Sequence, residues 1–412
     1  MSLTRRRFMR NTAASAAAVA ASGIGIVRPS FADDDIVIAT IFDQSGGLEA
    51  YGSPMTLSTK LAVEEINDAG GLLGRKIRLI QYDPQSNMQL YAQYAQEAAL
   101  KEHVAVVHGA ITSASREVIR PILRRYETLL WYSVLYEGGV CDINNFISGT
   151  SAVQQTEPIM DYGLSAYGPR CYYIGADYNA PQIIGDWAIK FARDRGGEVL
   201  VKDMYPMDVT EFGPTINKIQ SANPDFIYSC LVGGAHSGFY RQWAAAGMLN
   251  KIPIVSITFG VGGEQKVMPA SDSEGIVTCQ SYYMERDTPE NNVFVKAFQD
   301  RFGADAPYIT VLAAAAYEGI YLWAKGVEVA GSIDREAVIA GLRSGISWRG
   351  PSGDLTIDPI TNHVIQDVHL ARVKNQAFEV FKTIKQVYPS DVIDRCNLVE
   401  NPDTNEAFTP DI

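Results

Sequence analysis

Ile36-Val37-Ile38-Ala39-Thr40-Ile41 is an uninterrupted β-prone run, followed at once by a glycine loop, Ser45-Gly46-Gly47, and then by apolar residues at helical spacing. A strand without polar alternation is buried on both faces, the mark of a parallel sheet covered by helices. The helical pattern runs from Met55 to Ile66, with Leu57, Leu61, Ala62 and Ile66 on one face, and Asn67-Asp68-Ala69-Gly70-Gly71 stops it. Lys76 to Ile80 reads as the next strand, Gln89 to Glu102 as a helix, Val104 to Val107 as a strand and Ser115 to Arg125 as a helix. Strand and helix in alternation build a parallel sheet with right-handed crossovers.

The alternation restarts downstream. Cys171 to Ile174, Val199 to Val201, Phe226 to Leu231 and Pro253 to Ile257 read as strands, and Pro181–Arg195, Phe212–Ala222 and Gly238–Ala246 as the helices between them. After Tyr282 the pattern turns helical over Asn292–Phe302, Ile309–Val329 and Arg335–Ser344, and Gly353 to Ile384 is β-like. Two α/β units of similar size imply two lobes. No Pro/Gly/Ser-rich linker parts them, so the expected fold is α/β with two lobes, each a parallel sheet flanked by helices, and three interlobe crossings. The first lobe is expected over 35–150 and 286–350, the second over 151–285 and 351–390, with 391–412 as a surface tail.

The 412 residues are 47% hydrophobic and 20% charged, too apolar for a disordered chain and too polar for a polytopic membrane protein. A formal charge of −12 argues against a nucleic-acid partner, which needs a basic surface. The five cysteines, Cys141, Cys171, Cys230, Cys279 and Cys396, are too few for a disulfide scaffold and odd in number; a partner for Cys396 stays open at this level.

Thr4-Arg5-Arg6-Arg7-Phe8-Met9-Arg10 opens the chain, an Ala-rich apolar stretch runs from Ala13 to Val27, and Ser30-Phe31-Ala32 precedes three aspartates. A basic start, a short apolar region and a small-x-small site are the parts of an export signal. The twin arginines point to the Tat type. A signal peptide over 1–32, cleaved after Ala32, is therefore expected, with a periplasmic product five units more negative because Arg5, Arg6, Arg7, Arg10 and Arg28 leave with it. The apolar stretch is too short to span a bilayer, which takes about 20 strongly apolar residues.

Catalytic motifs are not evident. There is no G-x-S-x-G elbow, no H-E-x-x-H and no C-x-x-C. Among the histidines only His363 and His369, six apart in a stretch read as a hairpin, offer ligand spacing, and no metal or other cofactor is expected. Ser113 near His108 could suggest a nucleophile, but no oriented acid accompanies them, so an enzyme is not the expected reading. What the sequence supplies is loops at the carboxyl ends of strands, where helix N-termini offer N–H groups. His108-Gly109-Ala110-Ile111-Thr112-Ser113-Ala114-Ser115 is one such loop, suited to a ligand carbonyl or carboxylate or simply to capping its helix. Leu130-Trp131-Tyr132-Ser133-Val134-Leu135-Tyr136-Glu137-Gly138 follows the next strand. Gly175-Ala176-Asp177-Tyr178, Leu231-Val232-Gly233 and Thr258-Phe259-Gly260 occupy equivalent places in the second unit. Together they describe a cleft between two lobes.

These segments carry a resemblance. Ala62-Val63-Glu64-Glu65-Ile66-Asn67-Asp68-Ala69-Gly70-Gly71-Leu72-Leu73-Gly74-Arg75-Lys76-Ile77, Tyr82-Asp83-Pro84, Thr112-Ser113-Ala114-Ser115-Arg116, Gln154-Gln155 and Ala315 with Tyr317-Glu318-Gly319 resemble type I, two-lobed periplasmic solute-binding proteins. Tyr136-Glu137-Gly138 with Gly175-Ala176-Asp177-Tyr178 is similar to the urea- and short-chain-amide-binding branch of the branched-chain amino acid group. The resemblance implies a small amide, urea or amino acid caught between hinged lobes, and delivery to an ABC permease in the inner membrane, by a monomer. It implies that Ser113 binds the ligand through its N–H and hydroxyl, that Tyr132 contacts it from the same lobe, and that Tyr178 closes over it from the other. Ile111, Val134, Leu135, Val232 and Thr258 fall at lining positions.

Ile111, Val134 and Leu135 stand where amide binders tend to carry polar or aromatic side chains. That lining favours an apolar ligand tail, since each buried methylene contributes about 0.8 kcal/mol, and weakens the case for urea itself. An amino acid would in addition need a carboxylate for its ammonium group, for which Glu137, Asp177 and Glu264 are the candidates. The expected function is amide or urea capture for an ABC importer; the alternatives are an aliphatic amino acid binder of the same group and a periplasmic ligand sensor on the same fold.

Overall fold

The computed structural model describes residues 35–303, 305–391 and 395–409. The expected export segment over 1–32 lies outside the described residues.

The opening run is strand β1 (Ile36–Ile41), buried throughout except for half-buried Val37. It is an interior strand, next to the edge, of a five-stranded sheet with β2 (Ile77–Tyr82), β3 (Val106–Gly109), β4 (Leu129–Tyr132) and β6 (Asn145–Ile147), in the order β2-β1-β3-β4-β6. Every pairing in it is parallel. Helices Glu49–Asp68, Met88–Leu100 and Ser113–Arg125 make the crossovers. Residues β5 (Val140–Asp142) stand apart from this sheet.

A second sheet holds β7 (Arg170–Ala176), β8 (Glu198–Tyr205), β9 (Phe226–Cys230), β10 (Ile254–Ser256) and β11 (Val277–Gln280), parallel to one another. Strands β12 (Ser347–Gly350), β13 (Gly353–Ile357), β14 (Val364–Lys374) and β15 (Ala377–Val387) extend it antiparallel, giving the order β12-β13-β14-β11-β10-β9-β7-β8 with β15 on β14.

The two sheets organise two lobes with separate cores. The first core gathers apolar side chains from β1 to β6 and, far along the chain, from helices Pro289–Phe302, Val311–Ala330 and Arg335–Leu342. Leu355, Ile357 and Val364 also pack with this core, because Trp348 of the β12–β13 hairpin stacks on Tyr321 with ring centroids 4.9 Å apart. The second lobe's cores draw on β7 to β11 and the downstream part of β14. Strand β14 thus begins among first-lobe side chains and ends among second-lobe ones.

The segment expected as a surface tail lies largely exposed but is anchored at several points. Cys396 and Leu398 are fully buried, and Cys396 is disulfide-bonded to Cys141. Beyond them β16 (Asn405–Ala407) pairs antiparallel with β5, and the Phe408 N–H donates to the Gly139 carbonyl at 2.8 Å. Gly139 sits at φ +90°, and a side chain there would overlap the Phe408 carbonyl, so glycine is what lets the two segments meet. Arg124 donates to the carbonyls of Asp403 and Thr404 at 3.0 and 3.3 Å. Apolar burial, a covalent link and backbone pairing all act at once here. Cys171, Cys230 and Cys279 are free and buried in the second lobe.

Candidate functional site

Strand β3 ends at Gly109, Ala110 turns the chain at φ +71°, and Thr112 caps the helix that begins at Ser113. The cap is reciprocal: Thr112 Oγ1 accepts the Ser115 N–H at 3.1 Å, and Ser115 Oγ accepts the Thr112 N–H at 3.1 Å. The first N–H groups of a helix have no intrahelical acceptor. With Ser115 and Arg116 bonded back to Thr112, those of Ser113 and Ala114 remain for a bound group.

This helix end opens on a narrow cavity between the lobes, with about 40 Å³ of free volume. Of the residues expected to line it, Ile111, Ser113, Val134 and Leu135 reach it from the first lobe, and Tyr178, Val232 and Thr258 from the second. Tyr132 does not. It is fully buried behind the wall, its hydroxyl donating to the Ile111 carbonyl at 3.0 Å, so it orients the loop from the rear instead of facing the cavity. Tyr51, Thr112, Ala180, Val261 and Leu312 complete the lining and were not singled out from the sequence. Tyr51, Ala180 and Leu312 lie in the first turns of helices, so the rule that selected Ser113 and Tyr178 extends to them.

Behind Ser113 stands a buried ion pair. The Ser113 hydroxyl donates to the Glu137 carboxylate and accepts from Arg116 Nη1 at 3.2 Å, while Arg116 Nη2 donates to Glu137 at 2.8 Å. The side chains of Arg116 and Glu137 are 0% and 3% exposed. The guanidinium carbon lies 5.0 and 4.9 Å from the ring centroids of Tyr132 and Tyr136, a double cation–π contact. Glu137 is therefore engaged and offers a bound ammonium little. Asp177 accepts from Gln182 Nε2 at 2.7 Å and is exposed. Glu264 is buried, and one of its oxygens accepts the N–H groups of Gly260 and Gly262 at 2.8 and 3.1 Å. Burial, with the Glu264 charge second, holds the Tyr51 phenol far above its ordinary pKa.

Two hydrogen bonds join the lobes at the cavity's edges. Tyr51 Oη accepts the Gly233 N–H at 3.3 Å, and Trp187 Nε1 donates to the Glu137 carbonyl at 3.0 Å.

His108 is no base for Ser113. It stacks on Trp131 at 5.9 Å between centroids, neither ring nitrogen has a protein partner, and burial lowers its pKa to about 3. His363 meets Tyr136 Oη and His369 meets Thr383 Oγ1, so the two are separately engaged; among the described residues no group of three or more His, Cys, Asp or Glu could hold a metal. Because the folded pKa of His108 lies below the ordinary 6.5, protonation favours the unfolded chain. Its contribution to stability is complete above pH 6.5 and is lost as pH falls toward 3. A His108→Phe variant should therefore show a shallower fall of unfolding free energy between pH 6.5 and 4 in urea titrations; a slope equal to wild type would contradict this.

The profile of the family described as "Periplasmic binding protein domain" matches residues 36–395. Among curated relatives, Leu/Ile/Val-binding protein homolog 6 of Brucella abortus (strain 2308) is 24% identical over 296 residues, 70% of this chain and 75% of that one. The leucine-, isoleucine-, valine-, threonine-, and alanine-binding protein of Pseudomonas aeruginosa is 26% identical over 352 residues, 81% and 88% of the two chains. Among solved structures, a solute-binding protein of an ABC transporter from R. palustris in complex with 4-hydroxybenzoate superposes with a TM-score of 0.79 at 22% identity, covering 88% of this chain and all of that one. The branched-chain amino acid transporter substrate-binding protein LivJ from Streptococcus pneumoniae, in complex with isoleucine, gives a TM-score of 0.73 at 19% identity over 85% of this chain. With β1 through β15 and both lobes inside the matched region, the chain belongs to the family of periplasmic binding protein domains.

Proposed function

We propose that this protein is the solute-binding component of an ABC importer and that its ligand is a small neutral amide. The observation that carries the reading is the lining of the interlobe cavity, which contains no charged side chain. A zwitterion enclosed there would leave its ammonium unpaired, at a cost of several kcal/mol. An amide carbonyl fits the free N–H groups of Ser113 and Ala114, the Ser113 and Thr258 hydroxyls give its NH₂ group acceptors, and an alkyl group lies against Ile111, Val134 and Val232. Urea, polar on every side, would leave that apolar wall unmatched. The ligand's loading would be completed by the Tyr51–Gly233 and Trp187–Glu137 bonds, giving the permease a closed form to recognise.

An aliphatic amino acid is the second reading. It is favoured by Glu264, a buried carboxylate beside Tyr51 just behind the lining, and by the names of the curated relatives.

A thermal-shift panel separates the two. Formamide, acetamide, butyramide, urea, leucine, isoleucine and valine would be tested on the protein spanning Asp33–Ile412. A ligand at a hundred times its dissociation constant stabilises the folded state by roughly 2.7 kcal/mol. Short alkyl amides are expected to raise the melting temperature and the amino acids to leave it unchanged. A shift with leucine, isoleucine or valine alone would overturn the amide reading in favour of the second.

A further inference from the structure

A second chamber lies beside the first. It has about 440 Å³ of free volume, against about 40 Å³ in the inner cavity, and both lobes contribute to it. Leu48, Met88 and Tyr91 line it from the first lobe, and Met207 and Gly233 from the second. Tyr91 presents its ring, since its hydroxyl donates to buried Asp43. Met88 and Met207 are 39% and 37% exposed, large apolar groups kept at the surface on opposite sides of the cleft.

The partition between the chambers is thin. Thr112 borders both. Tyr51 lines the inner cavity, and its hydroxyl accepts from Gly233, which lines the outer one, across a long 3.3 Å bond between lobes. A threonine side chain and one stretched hydrogen bond thus stand where a packed wall would otherwise be. Gly233 sits at φ +71°, and a Cβ there would lie 3.1 Å from the Met207 carbonyl, so glycine brings the Met207 loop to the mouth.

From this geometry we infer that the outer chamber is a second subsite of the cleft, accepting the unbranched apolar extension of a ligand whose polar head lies at Ser113. The inference rests on the amide reading for the head group and adds a substrate class to it: straight-chain aliphatic amides longer than butyramide. The inner cavity is too small for such a chain, and the adjoining space offers Leu48, Met88, Met207 and the Tyr91 ring as its apolar surface, beside Ser86 and Asp208. Methionine suits this task because its unbranched, polarisable side chain adapts to chains of different length.

The test is calorimetric titration of acetamide, butyramide, hexanamide and octanamide into wild type and a Met88→Glu/Met207→Glu double variant. Both positions are partly exposed, and Met88 is the first residue of its helix, where an acidic side chain suits the dipole, so the fold should tolerate the changes. In wild type each added methylene seated in the chamber should tighten binding roughly fourfold. In the double variant the gain should stop at butyramide, with acetamide and butyramide unaffected. Hexanamide and octanamide binding wild type no better than butyramide, or the variant keeping the full gain, would overturn the inference. If no amide binds at all, the head-group reading fails, and the chamber is judged on the same samples with N-phenyl-1-naphthylamine. Bright emission with wild type that is lost in the variant supports an apolar subsite, and its absence from wild type refutes one.

Discussion

Replacing Glu137 with alanine is expected to destabilise the protein by about 3–5 kcal/mol and to abolish measurable ligand binding. Arg116 has no exposed side-chain surface, and Glu137 carries its buried counter-charge; Glu117, its other carboxylate contact at 2.9 Å, is 30% exposed. A buried ion pair need not stabilise a fold relative to apolar residues of the same shape, but removing one partner strands the other's charge. The same change takes away the acceptor that fixes the Ser113 hydroxyl at the cavity. Stability and affinity can be separated with a Glu137→Leu/Arg116→Met double variant, which removes both charges and the acceptor of the Ser113 hydroxyl. Once neither charge is stranded, the urea midpoint should recover most of the loss, while affinity should stay low because Ser113 is free to rotate. A Glu137→Ala protein within about 1 kcal/mol of wild type would show that the carboxylate is not the required partner of Arg116.

The Cys141–Cys396 bond should matter almost as much. Its partners are 255 residues apart, and cross-linking so long a loop removes much of the unfolded chain's freedom. A Cys141→Ser/Cys396→Ser variant is expected to lose about 3–5 kcal/mol, read as a lower denaturation midpoint that reductant no longer affects. Limited proteolysis should then cut first between residues 395 and 409, since the β5–β16 ladder of three residue pairs would be left to hold that segment with the arginine contacts. Wild type whose midpoint is indifferent to reductant would refute the expectation.

The fold was legible because its signals are local. The unbroken apolar run of β1, the Asn67–Gly71 stop and the later repeats of strand and helix each report burial or termination within a few residues. Seven of the eight residues expected at the ligand site meet at one cavity for a related reason: strand ends and helix first turns can be read from the chain, and the parallel sheet gathers them. The eighth, Tyr132, shows what a strand end does not tell. It lies at the strand end, yet its hydroxyl turns back to Ile111 in the neighbouring loop, a contact no local pattern contains. The Arg116–Glu137 pair, the choice of Cys141 as partner of Cys396, and the three-residue strands β5, β6 and β16 are likewise set by pairings between distant segments. Ligand choice sits between these cases: the apolar residues at 111, 134 and 135 were visible, but the absence of a charge from the completed lining needed the other lobe in place.

The clasp of β16 on β5 also orders events during synthesis. Residues 395 to 409 are made after every strand of the two main sheets, yet they finish a corner of the lobe whose strand β1 precedes all the others. The same lobe waits for the Val311–Ala330 helix, which packs on the Glu49–Asp68 helix. A chain truncated before residue 396 therefore lacks the disulfide and the strand pairing that finish this corner of the first lobe. Maturation should be strongly post-translational, with the second lobe's contiguous strands free to organise first.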